Sequence, residues 1–66
     1  MKIYVNGEAR EVPENHTAAE LVKAMGLAGK RIAMEINMEI VPRSQYDSHH
    51  FQNDDKVEIV QAIGGG

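Results

Sequence analysis

The sequence predicts a two-layer α+β domain in which one helix lies across a small sheet. Three observations carry this reading. An alternating apolar run is broken by Asn6-Gly7, the pair favoured in two-residue hairpin turns. Thr17 and Glu20 form a capping-box pattern just ahead of apolar residues at helical spacing. Two more alternating runs follow, "RIAMEINMEIVP" and "KVEIVQAI". A single helix packed on the sheet is the economical way to cover one of its faces.

The hairpin comes first. Met1, Ile3 and Val5 alternate with Lys2, Tyr4 and Asn6. A type I′ turn at Asn6-Gly7 pairs Val5 with Glu8, Ile3 with Arg10 and Met1 with Val12, and it sets Lys2 opposite Glu11. Arg10 then falls on the apolar face, which marks an edge strand whose arginine reaches out to solvent.

The helix is read from "PENHTAAELVKAMG". Ala18, Leu21, Val22 and Met25 form one stripe, with Glu20 and Lys23 off it. Gly26 supplies the left-handed residue past the C-terminus. A helix of about three turns cannot hold by propensity, so it depends on packing that stripe against the sheet.

The next strand alternates Ile32, Met34 and Ile36 against Ala33 and Glu35, turns near Asn37-Met38, and continues as Glu39–Val41 until Pro42 ends it. "RSQYDSHHFQNDD" is polar and irregular, with Tyr46 and Phe51 as anchors, and Asn53-Asp54-Asp55 is turn chemistry. In the last strand Val57, Ile59 and Ile63 share one parity, and Val60 and Ala62 the other.

Size and composition bound what such a domain can do. The chain has 66 residues, and a domain of this length buries only about 60% of its unfolded surface. It has no cysteine, which removes disulfides, thiolate zinc sites and a cysteine nucleophile. A net charge of −3 with no basic block argues against nucleic acid. The apolar runs are too short to span a membrane. "MKIYVNGEAREV" has neither the apolar core nor the cleavage site of a signal peptide, so a soluble cytoplasmic protein is expected.

Side-chain chemistry is sparse. His49-His50 has no third ligand at a spacing that makes one site, and the pair reads as two solvated loop histidines. His16 reads as a residue ahead of the helix cap. Asp54 and Asp55 lack the alternating oxygen ligands and distal glutamate of a calcium loop. Gly64–Gly66 precede no helix in the sequence, so they form no phosphate loop. No catalytic set is visible.

"VQAIGGG", residues 60–66, is the feature left over. Three glycines order poorly, and fraying is the simplest account of them. Yet they follow the last strand with no polar spacer, and glycine is the least hindered acyl group a protein can offer. This ending resembles that of the β-grasp sulfur carriers, and of the ThiS family of thiamine biosynthesis in particular. The resemblance spans the whole chain. It rests on the "VNGEAREV" hairpin, the "TAAELV" helix start, the "EIVPRSQY" segment and Gly65-Gly66. Val-Pro-Arg after an "AMEIN" strand is its most telling part. Gly64 and Met38 depart from the simplest pattern.

The resemblance implies a β-grasp, ubiquitin-like fold: one domain over residues 1–66, with a small mixed sheet, one helix and a flexible tail at 64–66. It implies a carrier and not an enzyme, with no bound cofactor or metal. A ThiF-like adenylyltransferase would use ATP, with magnesium, to join the Gly66 carboxylate to AMP. A persulfide on a sulfur-donating protein would displace the AMP, and the resulting thiocarboxylate would hand its sulfur to thiazole synthase. Gly64, Gly65 and Gly66 would thread into the partner. By strand parity Tyr4, Val60 and Ala62 lie on the sheet face opposite the helix, and they are the candidate partner interface. Two alternatives stay open: a carrier for another pathway, such as the small subunit of molybdopterin synthase, and a ubiquitin-like interaction module.

Overall fold

A computed structural model describes residues 1–61. Strands β1 (Lys2–Val5) and β2 (Glu8–Glu11) form the first hairpin, and helix α1 (Ala18–Ala24) follows. Strands β3 (Ile32–Ile36) and β4 (Glu39–Val41) form a second hairpin. A single 3-10 turn, Arg43–Gln45, precedes strand β5 (Lys56–Gln61). The sheet has five strands in the order β2-β1-β5-β3-β4. Pairing of β1 with β5 is parallel and the other pairings are antiparallel. This is the mixed β-grasp sheet that the sequence implied, with the last strand at its centre.

The first hairpin has the expected register, with Val5 opposite Glu8, Ile3 opposite Arg10 and Lys2 opposite Glu11. Asn6 and Gly7 both have positive φ, 52° and 85°, as a type I′ turn requires. The second hairpin turns in the same way on Asn37 and Met38, with φ of 53° and 71°. Both outer strands, β2 and β4, are short, which limits the exposed sheet edge.

Helix α1 has both predicted ends. Thr17 is the N-cap: its Oγ1 accepts the Glu20 N–H at 3.2 Å, and Glu20 Oε1 accepts the Thr17 N–H at 2.9 Å. At the other end the Leu27 N–H donates to the Val22 carbonyl and the Gly26 N–H to the Lys23 carbonyl, a Schellman motif around left-handed Gly26. The helix is seven residues long, about two turns rather than the three expected. Pro13–His16, which stand ahead of the cap, form a turn in which Asn15 has a φ of 62°.

One core joins the layers. Ala18, Leu21 and Val22 of the helix bury against Ile3, Val5, Met34, Ile36, Val57 and Ile59 of the sheet. Met25 and Leu27 pack at its margin. Tyr46 and Phe51 are buried and anchor the polar segment between β4 and β5, as expected. That segment also bonds back to the helix start, since the Ala18 and Ala19 N–H groups donate to the carbonyls of His49 and Tyr46. These bonds satisfy helix donors that would otherwise be unpaired.

Candidate functional site

Strand β5 is the last described element ahead of the glycine run in the sequence, so the way β5 is held defines the site. On one side β3 pairs with it along its length, from Ile36 opposite Val57 to Ile32 opposite Gln61. On the other side β1 pairs only as far as Val5 opposite Val57 and then turns away at Asn6. The first residue of each hairpin turn adds side-chain bonds, Asn6 to β5 from the β1 side and Asn37 to the start of β5 from the β3 side. Asn6 Oδ1 accepts the Ile59 N–H at 2.8 Å, and Asn6 Nδ2 donates to the Ile59 carbonyl at 3.2 Å. Asn37 Oδ1 accepts the Lys56 N–H at 3.0 Å, and Asn37 Nδ2 donates to Asp55 Oδ1 at 2.9 Å. The Asp55 side chain is buried, and its second oxygen accepts the Gln52 N–H at 2.8 Å. Two asparagines placed by left-handed turns therefore grip the central strand.

The face opposite the helix follows by alternation. Met34, Ile36, Val57 and Ile59 point into the core, so Ala33, Glu35, Lys56, Glu58 and Val60 point outward. Tyr4, opposite Lys56, and Val60 share this outer face, as predicted. The structure does not bring them together. Val60 stands at the far end of β5 from Lys56, and the exposed carboxylates Glu35 and Glu58 face each other between the two ends. Tyr4 is half-buried, and the Lys2 ammonium stands 5.4 Å from its ring centroid. Val60 remains 65% exposed. Ala62, Gly64, Gly65 and Gly66 lie outside the described residues.

Sequence reasoning missed other parts of this outer face. Ile40 is 74% exposed, and it is paired with Glu35, which puts it on the same face. The signal for it was the parity of β4, in which an inward Val41 requires an outward Ile40. An open cleft of about 430 Å³ adjoins Val60 and Gln61 and is lined by Arg31, Ile32, Ala33 and Arg43. The Arg43 guanidinium donates to the Lys30 carbonyl, which ties the segment after β4 to the start of β3. Arg31 and Arg43, two of the seven basic residues, stand together beside the end of β5. Val60 and Ala33, cross-strand partners on β5 and β3, thus form a small apolar patch beside two arginines, and Ile40 lies one outward row further along the same face.

The remaining polar residues have structural roles. His49 is half-buried, with its ring edge-on to Phe51 at 6.0 Å, so it is not the solvated loop histidine expected; His50 is exposed. His16 is also half-buried, 6.4 Å from Phe51, and its Nδ1 lies 3.9 Å from Glu20 Oε1. The Thr17 N–H and hydroxyl hold the Glu20 carboxyl below its ordinary pKa, with a smaller pull from His16. Among the described residues no three metal-ligating side chains cluster as a metal site would need. No described helix is long and apolar enough to cross a membrane.

Comparison with known proteins agrees with this geometry. Residues 3–66 match the ThiS family. The sulfur carrier protein ThiS of Escherichia coli is 33% identical over 66 residues, covering all of both chains. A thiazole synthase of Paramagnetospirillum magneticum is 41% identical over 66 residues, all of this chain but only 20% of that protein. A second, from Magnetococcus marinus, is 38% identical over the same share. This chain thus spans about a fifth of the length of those two relatives. Among solved structures, a thiamine biosynthesis protein (ThiS) from Geobacter metallireducens superposes with a TM-score of 0.84 at 30% identity, covering all of both chains. With the fold, the central last strand and the family pattern all in place, the chain belongs to the ThiS family.

Proposed function

We propose that this protein is a sulfur carrier of thiamine biosynthesis, acting in the cytoplasm as a protein cosubstrate and not as a catalyst. The carboxylate of Gly66 is the group that carries the sulfur. A carboxylate is a poor acyl donor, so a ThiF-like adenylyltransferase first joins it to AMP from ATP, with magnesium, and releases pyrophosphate. A persulfide on a donor protein then attacks the acyl carbon and AMP leaves. A thiol then attacks the donor's sulfur in the acyl disulfide, so that the S–S bond breaks, the donor is left as a disulfide and the carrier as a thiocarboxylate, whose sulfur passes to thiazole synthase. Gly64 and Gly65 carry no Cβ, so a narrow channel can admit them and the carbonyl is open to attack. Ordering such a segment costs about 1–2 kcal/mol per residue, which contacts in the partner must offset.

The observation that carries this reading is the full-length likeness to the Escherichia coli sulfur carrier, which runs through the last strand to Gly66. The two thiazole synthases that include a segment like this chain support the choice of acceptor.

Intact mass tests the proposal. Incubated with the adenylyltransferase, ATP and a persulfide donor, the chain should gain the mass difference between sulfur and oxygen, and fragmentation should place it at Gly66. A variant with one residue added after Gly66 should fold normally yet fail to support ATP–pyrophosphate exchange. Sulfur elsewhere in the chain, or full exchange by the extended variant, would exclude the carrier mechanism and leave an interaction module. Complex formation with a molybdopterin synthase large subunit instead of thiazole synthase would move the protein to that pathway.

A further inference from the structure

The Asn6 side chain does more than its turn requires. A type I′ turn asks for positive φ at its first position, and Asn, Asp and Gly all satisfy that. At Asn6 the carboxamide also bonds both the N–H and the carbonyl of Ile59, 53 residues away in sequence. A carboxamide has the donor and acceptor of a peptide group, so it occupies the place of the strand residue that β1 would supply if it did not turn. The backbone N–H of Asn6 donates to the Val57 carbonyl at 2.8 Å, and the side chain extends that ladder by one step. Beyond Ile59 the described part of β5 continues for two residues, Val60 and Gln61, paired with Ala33 and Ile32 of β3. Asn6 is thus the last described hold on the β1 side before the glycine run.

We propose that Asn6 is a positioning residue for the carrier reaction: its carboxamide keeps β5 in the sheet through Ile59 and so sets the direction in which the chain leaves Gln61 toward the glycines. Without it the strand end would peel from the β1 side, and a partner would have to order that segment on binding. The cost would fall on complex formation and not on the chemical step, because the bound tail is placed by the partner's channel. The enzymatic half of the proposal rests on the sulfur-carrier reading, and the structural half does not.

Asn6→Gly is the informative variant, since two consecutive glycines keep the turn and only the side chain is lost. Amide hydrogen exchange should show the Ile59 N–H exchanging about tenfold faster, the scale expected for loss of one neutral hydrogen bond. The amides of Leu21 and Met34 should keep their wild-type protection. In ATP–pyrophosphate exchange with a ThiF-like adenylyltransferase, KM for the carrier should rise about tenfold while kcat changes by less than about twofold. Asn6→Asp keeps the turn and the acceptor for the Ile59 N–H, and should restore that amide's protection. It also serves if the glycine variant folds poorly. Unchanged Ile59 exchange, or equal loss of protection across the whole molecule, overturns the clamp. Faster Ile59 exchange with unaltered KM reduces Asn6 to a local brace and overturns the positioning role. If the wild type itself supports no exchange, the carrier reading fails while the amide data still decide the clamp.

Discussion

A single residue carries the clearest tension in this fold, and it sits in the second hairpin turn. Asn37 and Met38 each have positive φ, yet only asparagine tolerates that region readily. Met38 is 91% exposed, so its side chain contributes no packing to offset the strain. Met38→Gly should therefore stabilise the protein by about 1 kcal/mol, with the greater freedom of glycine in the unfolded chain taking back part of the gain. Thermal melting should show a rise of roughly 4–8 °C per kcal/mol for a domain of this size. An unchanged or lower midpoint would mean that Met38 is not strained. That a turn lies near Asn37-Met38 was legible in the alternation on either side of it. The second role of its asparagine was not. Asn37 Nδ2 meets Asp55 and Asn6 Oδ1 meets Ile59, partners 18 and 53 residues away. No local pattern in a sequence encodes such a distance.

At the level of elements, the helix shows what periodicity can and cannot settle. The capping box, the stripe and Gly26 all appear where expected, because each depends on residues within a turn of one another. Its length was overread, because the Pro13–His16 turn and the Thr17 cap leave only Ala18–Ala24 helical. Two turns of isolated helix are unstable in water, so α1 holds through Ala18, Leu21 and Val22. Leu21 is fully buried, and Leu21→Ala should cost about 2–5 kcal/mol, a large share of a small domain's stability. Chemical denaturation would measure it, and an unaltered midpoint would mean that the helix does not bear on the core. The cap is also sensitive to pH. Its bonds to Thr17 lower the pKa of Glu20, so the folded state favours the carboxylate. The resulting stabilisation is complete above the ordinary glutamate value of about 4.3 and is lost as pH falls through the lowered folded value. Wild type should therefore melt higher than Glu20→Gln at neutral pH, and the gap should narrow in acid. A gap that stays constant would mean that hydrogen bonding to the charged form is not what holds this cap.

For the molecule as a whole, the order of strands decides which surface a partner can reach beside the glycine run. Parity placed Tyr4 and Val60 on one face correctly, since alternation is a local property. Their separation depends on register between strands distant in sequence, and that was not legible. In the folded sheet Tyr4 lies beside Lys2 at one end, while Val60 and Ala33 lie at the other, next to Arg31 and Arg43, and Ile40 stands level with Glu35. The opposed carboxylates of Glu35 and Glu58 stand between the two groups, so a partner that buries the Val60 end need not reach Tyr4. Val60 is the exposed large apolar residue of β5 nearest in sequence to the glycines, so contact with the proposed adenylyltransferase should matter most there. Val60→Asp replaces an exposed side chain, so stability should change by no more than about 0.5–1 kcal/mol. Binding should weaken by about tenfold or more, because a carboxylate desolvated against an apolar partner surface costs more than one hydrogen bond returns. Ile40→Asp should act in the same direction, and Tyr4→Ala should leave affinity within about twofold of wild type. Titration calorimetry of the three variants against the adenylyltransferase separates the ends of the face. Loss of affinity confined to Tyr4→Ala would move the interface to the Lys2 end, and loss in none would take it off this face altogether.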